Sequence, residues 1–92
     1  MIRIIIADDH PVVREGIAAM INRREDMTVV AEVADGLAAV EAYIEHAPDV
    51  ALLDLRMPHL DGVEAITGIR QADPAARIIV LTTFDGDEDI FQ

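Results

Sequence analysis

Four aliphatic runs alternate with amphipathic spans, and this alternation limits the fold more than any other feature of the chain. The runs are Arg3-Ile4-Ile5-Ile6-Ala7, Met27 to Val33, Val50-Ala51-Leu52-Leu53 and Arg77-Ile78-Ile79-Val80-Leu81. Each is short and mainly aliphatic, as a strand covered on both faces is, and the centre of the first, Ile4-Ile5-Ile6, is wholly β-branched. Between them apolar residues recur at helical spacing: Val13, Ile17, Met20 and Ile21, then Leu37, Val40 and Ile44, then Val63, Ile66 and Ile69. Each set makes one buried stripe. Strand–helix–strand units close as right-handed crossovers, which predicts an α/β fold with a parallel sheet and helices on both faces. Glu32 inside the second run marks that strand as an edge.

Punctuation between the runs agrees. His10-Pro11 opens the first helix with proline at the first helical position, where its missing N–H costs nothing. That helix ends near Arg23-Arg24. Asp35-Gly36 turns the chain into the second helix, which runs to about Ala47. Pro58 and Asp61-Gly62 bound a stiff loop after the third strand, and Asp61 to Glu64 has capping-box spacing. Asp73-Pro74 stops the third helix. Asp85-Gly86-Asp87-Glu88 repeats the capping signal and Ile90-Phe91 begins another apolar stripe, about one turn before the last residue. One helical turn is not stable alone, so the fold is expected to be incomplete at this end.

Ninety-two residues make one domain near the lower size limit for an unstapled core. Three aromatic residues among a hydrophobic majority make that core aliphatic. The absence of cysteine excludes disulfides and thiolate metal sites. No stretch approaches a membrane span, and Met1 to Ala7 is too short for a signal segment, so a cytoplasmic protein with no membrane partner is expected. The net charge is −11 and all seven basic residues are arginine. Such a surface repels nucleic acid, so this segment is not expected to bind DNA by itself.

In folds of this kind ligands bind beyond the carboxyl ends of the strands. Asp8 and Asp9 follow the first strand, Asp54 the third and Thr82 the fourth, which places all four on one rim. Three carboxylates in one pocket repel one another unless a cation sits among them. Oxygen-only ligands point to a hard ion, Mg²⁺. A carboxylate beside it can act as nucleophile and form an aspartyl phosphate, with the cation and the Thr82 hydroxyl stabilising the transferred group. Each piece has a plainer reading. Eighteen acids in this length make adjacent pairs common. Asp54 and Thr82 also serve as strand terminators, His10 as a solvated helix-start residue, and His46 and His59 as surface residues. The acids from 85 to 89 favour a helix dipole. The joint placement at three strand ends is what chance does not readily supply.

Three stretches carry a resemblance: Ile4 to Gly16, with Ala-Asp-Asp-His-Pro at its centre; Leu52 to Gly62, Leu-Leu-Asp-Leu-Arg-Met-Pro-His-Leu-Asp-Gly; and Ile79 to Phe84, Ile-Val-Leu-Thr-Thr-Phe. The chain resembles the receiver domain of bacterial two-component response regulators, in the LuxR-like subgroup whose receivers precede a helix-turn-helix output domain. The resemblance covers residues 1–92. It implies a flavodoxin-like fold with strand order 2-1-3-4-5, of which strand 5 and helix 5 are missing here. It implies Asp54 as the phosphoacceptor for a sensor histidine kinase and Thr82 as the switch hydroxyl. Mg²⁺ would be held by Asp8, Asp9, Asp54 and the backbone carbonyl of Arg56. Arg56 and Phe84 match positions that tune access of water, and Pro58 and Gly62 shape the loop. By the same resemblance the chain is a phosphoacceptor rather than an enzyme, beyond self-phosphorylation and self-dephosphorylation. DNA would be reached only through an output domain absent here.

The departures carry expectations too. The family has a lysine at the end of strand 5 that reaches the phosphoryl oxygen, and this chain has no lysine. Phosphotransfer to Asp54 is therefore expected to be weak. The fourth strand is expected to be an exposed edge, which predicts a homo-oligomer sealed along it. Three other functions compete. A degenerate receiver-fold interaction module would keep the fold without phosphotransfer. An aspartyl-phosphate hydrolase would need a second acid two residues after its nucleophile, where this chain has Arg56. A flavin module would need a hydroxyl- and glycine-rich loop where Asp8-Asp9 stands.

Overall fold

A computed structural model describes residues 1–55 and 61–81. The elements follow the expected alternation: β1 (Ile2–Ala7), α1 (Pro11–Asn22), β2 (Met27–Val33), α2 (Gly36–His46), β3 (Val50–Asp54), α3 (Gly62–Ala72) and β4 (Ile78–Leu81). The strands form one parallel sheet in the order β2-β1-β3-β4. This is the order that the resemblance implies for the first four strands of a flavodoxin-like fold, with β2 at one edge as Glu32 suggested. Among the described residues β4 is the other edge.

Alternation along the central strands splits the core into two layers. Ile5, Ala7, Ala51 and Leu53 pack with Ala39, Ala42, Tyr43, Ala65 and Ile69 of α2 and α3. Ile4, Ile6 and Leu52 point the other way, onto Ala18, Ile17 and Ile21 of α1. A register shift between Ile4 and Ile5 lets Val30 and Ala31 both pack on the α2/α3 side. Ile5, Ile6 and Leu53 are fully enclosed.

The helix stripes need correction. In α1 the sheet meets Ile17, Ala18 and Ile21, while Met20 is 61% exposed and Val13 also reaches the surface. In α2 the small residues Gly36, Ala39 and Ala42 face inward with Tyr43, leaving Leu37 and Ile44 exposed. In α3 Ala65 and Ile69 are buried and Val63 is exposed. Alanine and glycine let a helix approach the sheet closely, and that close approach outweighs the pull of the larger side chains flanking it.

Helix ends follow local chemistry. Asp35 accepts a hydrogen bond from Ala38 N–H at 2.7 Å, and Asp61 accepts one from Glu64 N–H at 2.9 Å. α2 ends at Ala47 in the left-handed region, φ 44°. Arg3 caps that end from β1, its guanidinium donating to the carbonyls of His46 (2.6 Å) and Ala47 (3.3 Å). No helix among the described residues is long and apolar enough to cross a membrane.

Candidate metal and phosphoryl-acceptor site

The sheet register builds the site. Ala7 lies beside Val33 on one flank and Leu53 on the other, so β1 and β3 end together and bring Asp8 next to Asp54. Asp54 in turn aligns with Leu81, the last residue of β4. Thr82 follows Leu81 in the chain and lies outside the described residues, as do Arg56, Pro58 and Phe84.

Asp8 and Asp54 are almost wholly buried, at 0% and 1% exposure, although each carries a carboxyl group. Asp8 is fixed from several directions. Its N–H donates to Val33 O at 3.1 Å, and its Oδ1 accepts from His10 N–H at 2.8 Å. Asp8 Oδ1 also lies 3.0 Å from His10 Nδ1. Asp9 Oδ1 is another 3.0 Å from the same nitrogen, but a single Nδ1–H cannot serve both, and this oxygen has no hydrogen bond. Asp8 Oδ2 is likewise buried without a hydrogen bond. Asp54 Oδ2 is 3.8 Å from His10 Nδ1.

One ligand atom from each of Asp8, Asp9, His10 and Asp54 falls within 4.8 Å of the others. Burying ionised carboxylates this close together is costly unless opposite charge is supplied. His10 supplies part of it. Its pKa is raised, first by the hydrogen bond to Asp8 and then by the charge of Asp9, against a smaller opposing effect of burial. Two buried carboxylate oxygens without hydrogen bonds, in a cluster of three acids and one histidine, suit a hard divalent cation. The residues present therefore fit Mg²⁺.

Gly62 sets the far wall. Its N–H donates to Leu55 O at 3.1 Å, and a Cβ placed on it would lie 2.5 Å from Leu55 Cα and 2.7 Å from Asp54 O. The first residue of α3 thus packs directly on the end of β3.

Of the residues expected at the site, Asp8, Asp9 and Asp54 come together. His10, read from the sequence as solvated, is 46% exposed but turns its ring onto the acids. Its place directly after Asp8-Asp9, where Asp8 can accept its N–H, was the available signal. Arg14, which donates to Asp8 O at 2.8 Å, was missed altogether.

Residues 4–92 match the sequence profile of the response regulator receiver domain. The oxygen regulatory protein NreC of Staphylococcus epidermidis is 47% identical over 90 residues, covering 97% of this chain and 41% of that protein. A LuxR-family two-component response regulator from Aurantimonas sp. superposes with a TM-score of 0.86 at 44% identity, covering 99% of this chain and 65% of the other. A DNA-binding response regulator of the LuxR family from Staphylococcus aureus gives 0.84 at 28% identity, covering 99% and 76%. The chain thus spans less than half the length of the curated relative it matches.

Proposed function

The chain belongs to the response regulator receiver family, and from that premise we propose that it accepts a phosphoryl group on Asp54 from a sensor histidine kinase. The observation that carries this reading is a buried carboxylate at the end of β3, within 4.8 Å of two further acids. A carboxylate oxygen of Asp54 attacks phosphorus, the bond from phosphorus to the donor's imidazole nitrogen breaks, and the acyl phosphate stays on Asp54. Asp8, Asp9, Asp54 and the Arg56 carbonyl would hold Mg²⁺, which neutralises phosphoryl oxygen charge when bound. The Thr82 hydroxyl would donate to a phosphoryl oxygen. Around them, β1 and β3 hold the acids at fixed separation, and α3 closes on the backbone of Asp54.

On this reading the chain is a phosphoacceptor whose only catalysis is its own labelling and hydrolysis, and it works in the cytoplasm, beside the kinase. In a longer protein, it would control a DNA-binding output domain, a reading supported by its likeness to the DNA-binding response regulator of Staphylococcus aureus. The acidic receiver surface itself would not touch DNA. Self-association along β4 is supported by its place at the sheet edge among the described residues, with Ile79 53% and Val80 40% exposed.

The test is intact mass after incubation with Mg²⁺ and acetyl phosphate. One phosphoryl group on the parent and none on Asp54→Asn is expected. Equal labelling of both would refute Asp54. A chain that binds Mg²⁺ yet never labels, even when extended by the family's fifth strand, would favour a receiver-fold interaction module.

A further inference from the structure

Arg14 lies one helical turn into α1 and makes no contact with the carboxylates in the proposed cation site, yet it is mostly buried, with its side chain 19% exposed. Its guanidinium Nη1 donates to the backbone carbonyl of Asp8 at 2.8 Å. Its Nε stands 3.7 Å from Glu32 Oε1 on the edge strand β2 and is buried without a hydrogen bond. A buried donor left unpaired is costly, so this arginine is held at a cost to stability. What it gains is control of Asp8. The Asp8 N–H is tied to Val33 on β2, and its carbonyl is tied to α1 through Arg14. With both ends of its backbone anchored, Asp8 has its Cβ direction set, and the His10 N–H bond to Oδ1 holds the carboxylate from there.

We propose that Arg14 is a positioning residue for the cation site: it clamps the Asp8 carbonyl and so aims the Asp8 carboxylate at the ion, with Glu32 orienting the guanidinium from β2. This rests on the reading of Asp8, Asp9 and Asp54 as Mg²⁺ ligands. Groups that orient metal ligands from behind commonly govern metal affinity about tenfold or more. The clamp also makes an unusual prediction of sign. Removing a nearby positive charge removes its Coulomb repulsion of Mg²⁺, which alone should tighten binding. Removing a clamp should weaken it.

The experiment is calorimetric titration of the 92-residue chain with magnesium chloride, for the parent, Asp9→Asn, Arg14→Gln and Arg14→Lys, each first shown folded by circular dichroism. Binding by the parent that is lost in Asp9→Asn establishes the site independently of Arg14. Arg14→Gln is then expected to bind about tenfold more weakly. Arg14→Lys should lie between, because it keeps the charge and one donor but not the planar fork. Affinity in Arg14→Gln equal to or tighter than the parent's would overturn the proposal. Should Arg14→Gln not fold, Arg14→Lys decides: weaker binding supports the clamp, and parental affinity overturns it. A parent that does not bind Mg²⁺ at all removes the cation-site reading and the clamp with it. A metal-free readout accompanies these: the His10 amide, bonded to Asp8 Oδ1, should exchange faster with solvent in Arg14→Gln.

Discussion

Gly62 and Asp54 meet backbone to backbone: the space a side chain would need at Gly62 is filled by the carbonyl oxygen of Asp54, 2.7 Å from the Cβ position. Leu55 Cα is closer still, at 2.5 Å. Neither is a flexible side-chain end that can swing away. Gly62→Ala must therefore push α3 off the end of β3, at a cost of about 1–3 kcal/mol. Urea unfolding measures that loss, and the labelling rate with acetyl phosphate should fall as Asp54 moves. Unchanged stability and rate would mean that α3 is free to slide.

Tyr43 joins α2 to the end of α3, its hydroxyl donating to Asp73 Oδ2 at 2.7 Å. Tyr43→Phe should cost about 1 kcal/mol in unfolding free energy. Burial, then the hydrogen bond to Asp73 and its charge, push the Tyr43 pKa up to about 12. The folded value exceeds the unfolded one, near 10, so this contribution is complete below pH about 10 and is lost as pH rises through about 12. Tyr43 is the only tyrosine and there is no tryptophan, so tyrosinate absorbance reads it directly. A midpoint near 10 in the folded chain would contradict the buried bond.

Mg²⁺ should stabilise the folded chain, because the carboxylate cluster exists only when β1 and β3 are paired. At a hundredfold excess over Kd the gain is about 2.7 kcal/mol. Thermal unfolding with and without Mg²⁺ should show a rise that a chelator reverses and that Asp9→Asn abolishes. The same rise in Asp9→Asn would place the ion elsewhere.

The β4 edge carries no charge between Ile78 and Leu81, and its exposed residues are apolar. Light scattering should report a concentration-dependent oligomer for the parent. Ile79→Lys, which puts a charge on the edge, should return it to monomer. A parent that stays monomeric at high concentration would exclude pairing along β4.

The sequence made the strands legible almost to the residue, because runs such as Ile4-Ile5-Ile6 have no other use in a short chain. Asp35 and Asp61 announced helix starts through local hydrogen bonds that need only three residues of context. The buried helix faces were less legible. Periodicity marks an apolar stripe, but which part of it meets the sheet depends on small residues such as Ala39 and Ala65 that look indifferent in sequence. Asp8, Asp9 and Asp54 were found because strand ends in a parallel sheet share a rim. Arg3 capping α2 from 43 residues away and Tyr43 reaching Asp73 across 30 were invisible, since nothing local specifies either partner.

The central claim is that Asp54 carries the phosphoryl group, and borohydride trapping tests it most directly. Reduction converts an aspartyl phosphate to homoserine, which peptide sequencing locates. After incubation with Mg²⁺ and acetyl phosphate, homoserine should appear at position 54 and at no other aspartate. Homoserine at Asp8 or Asp9, with Asp54 intact, would contradict the account.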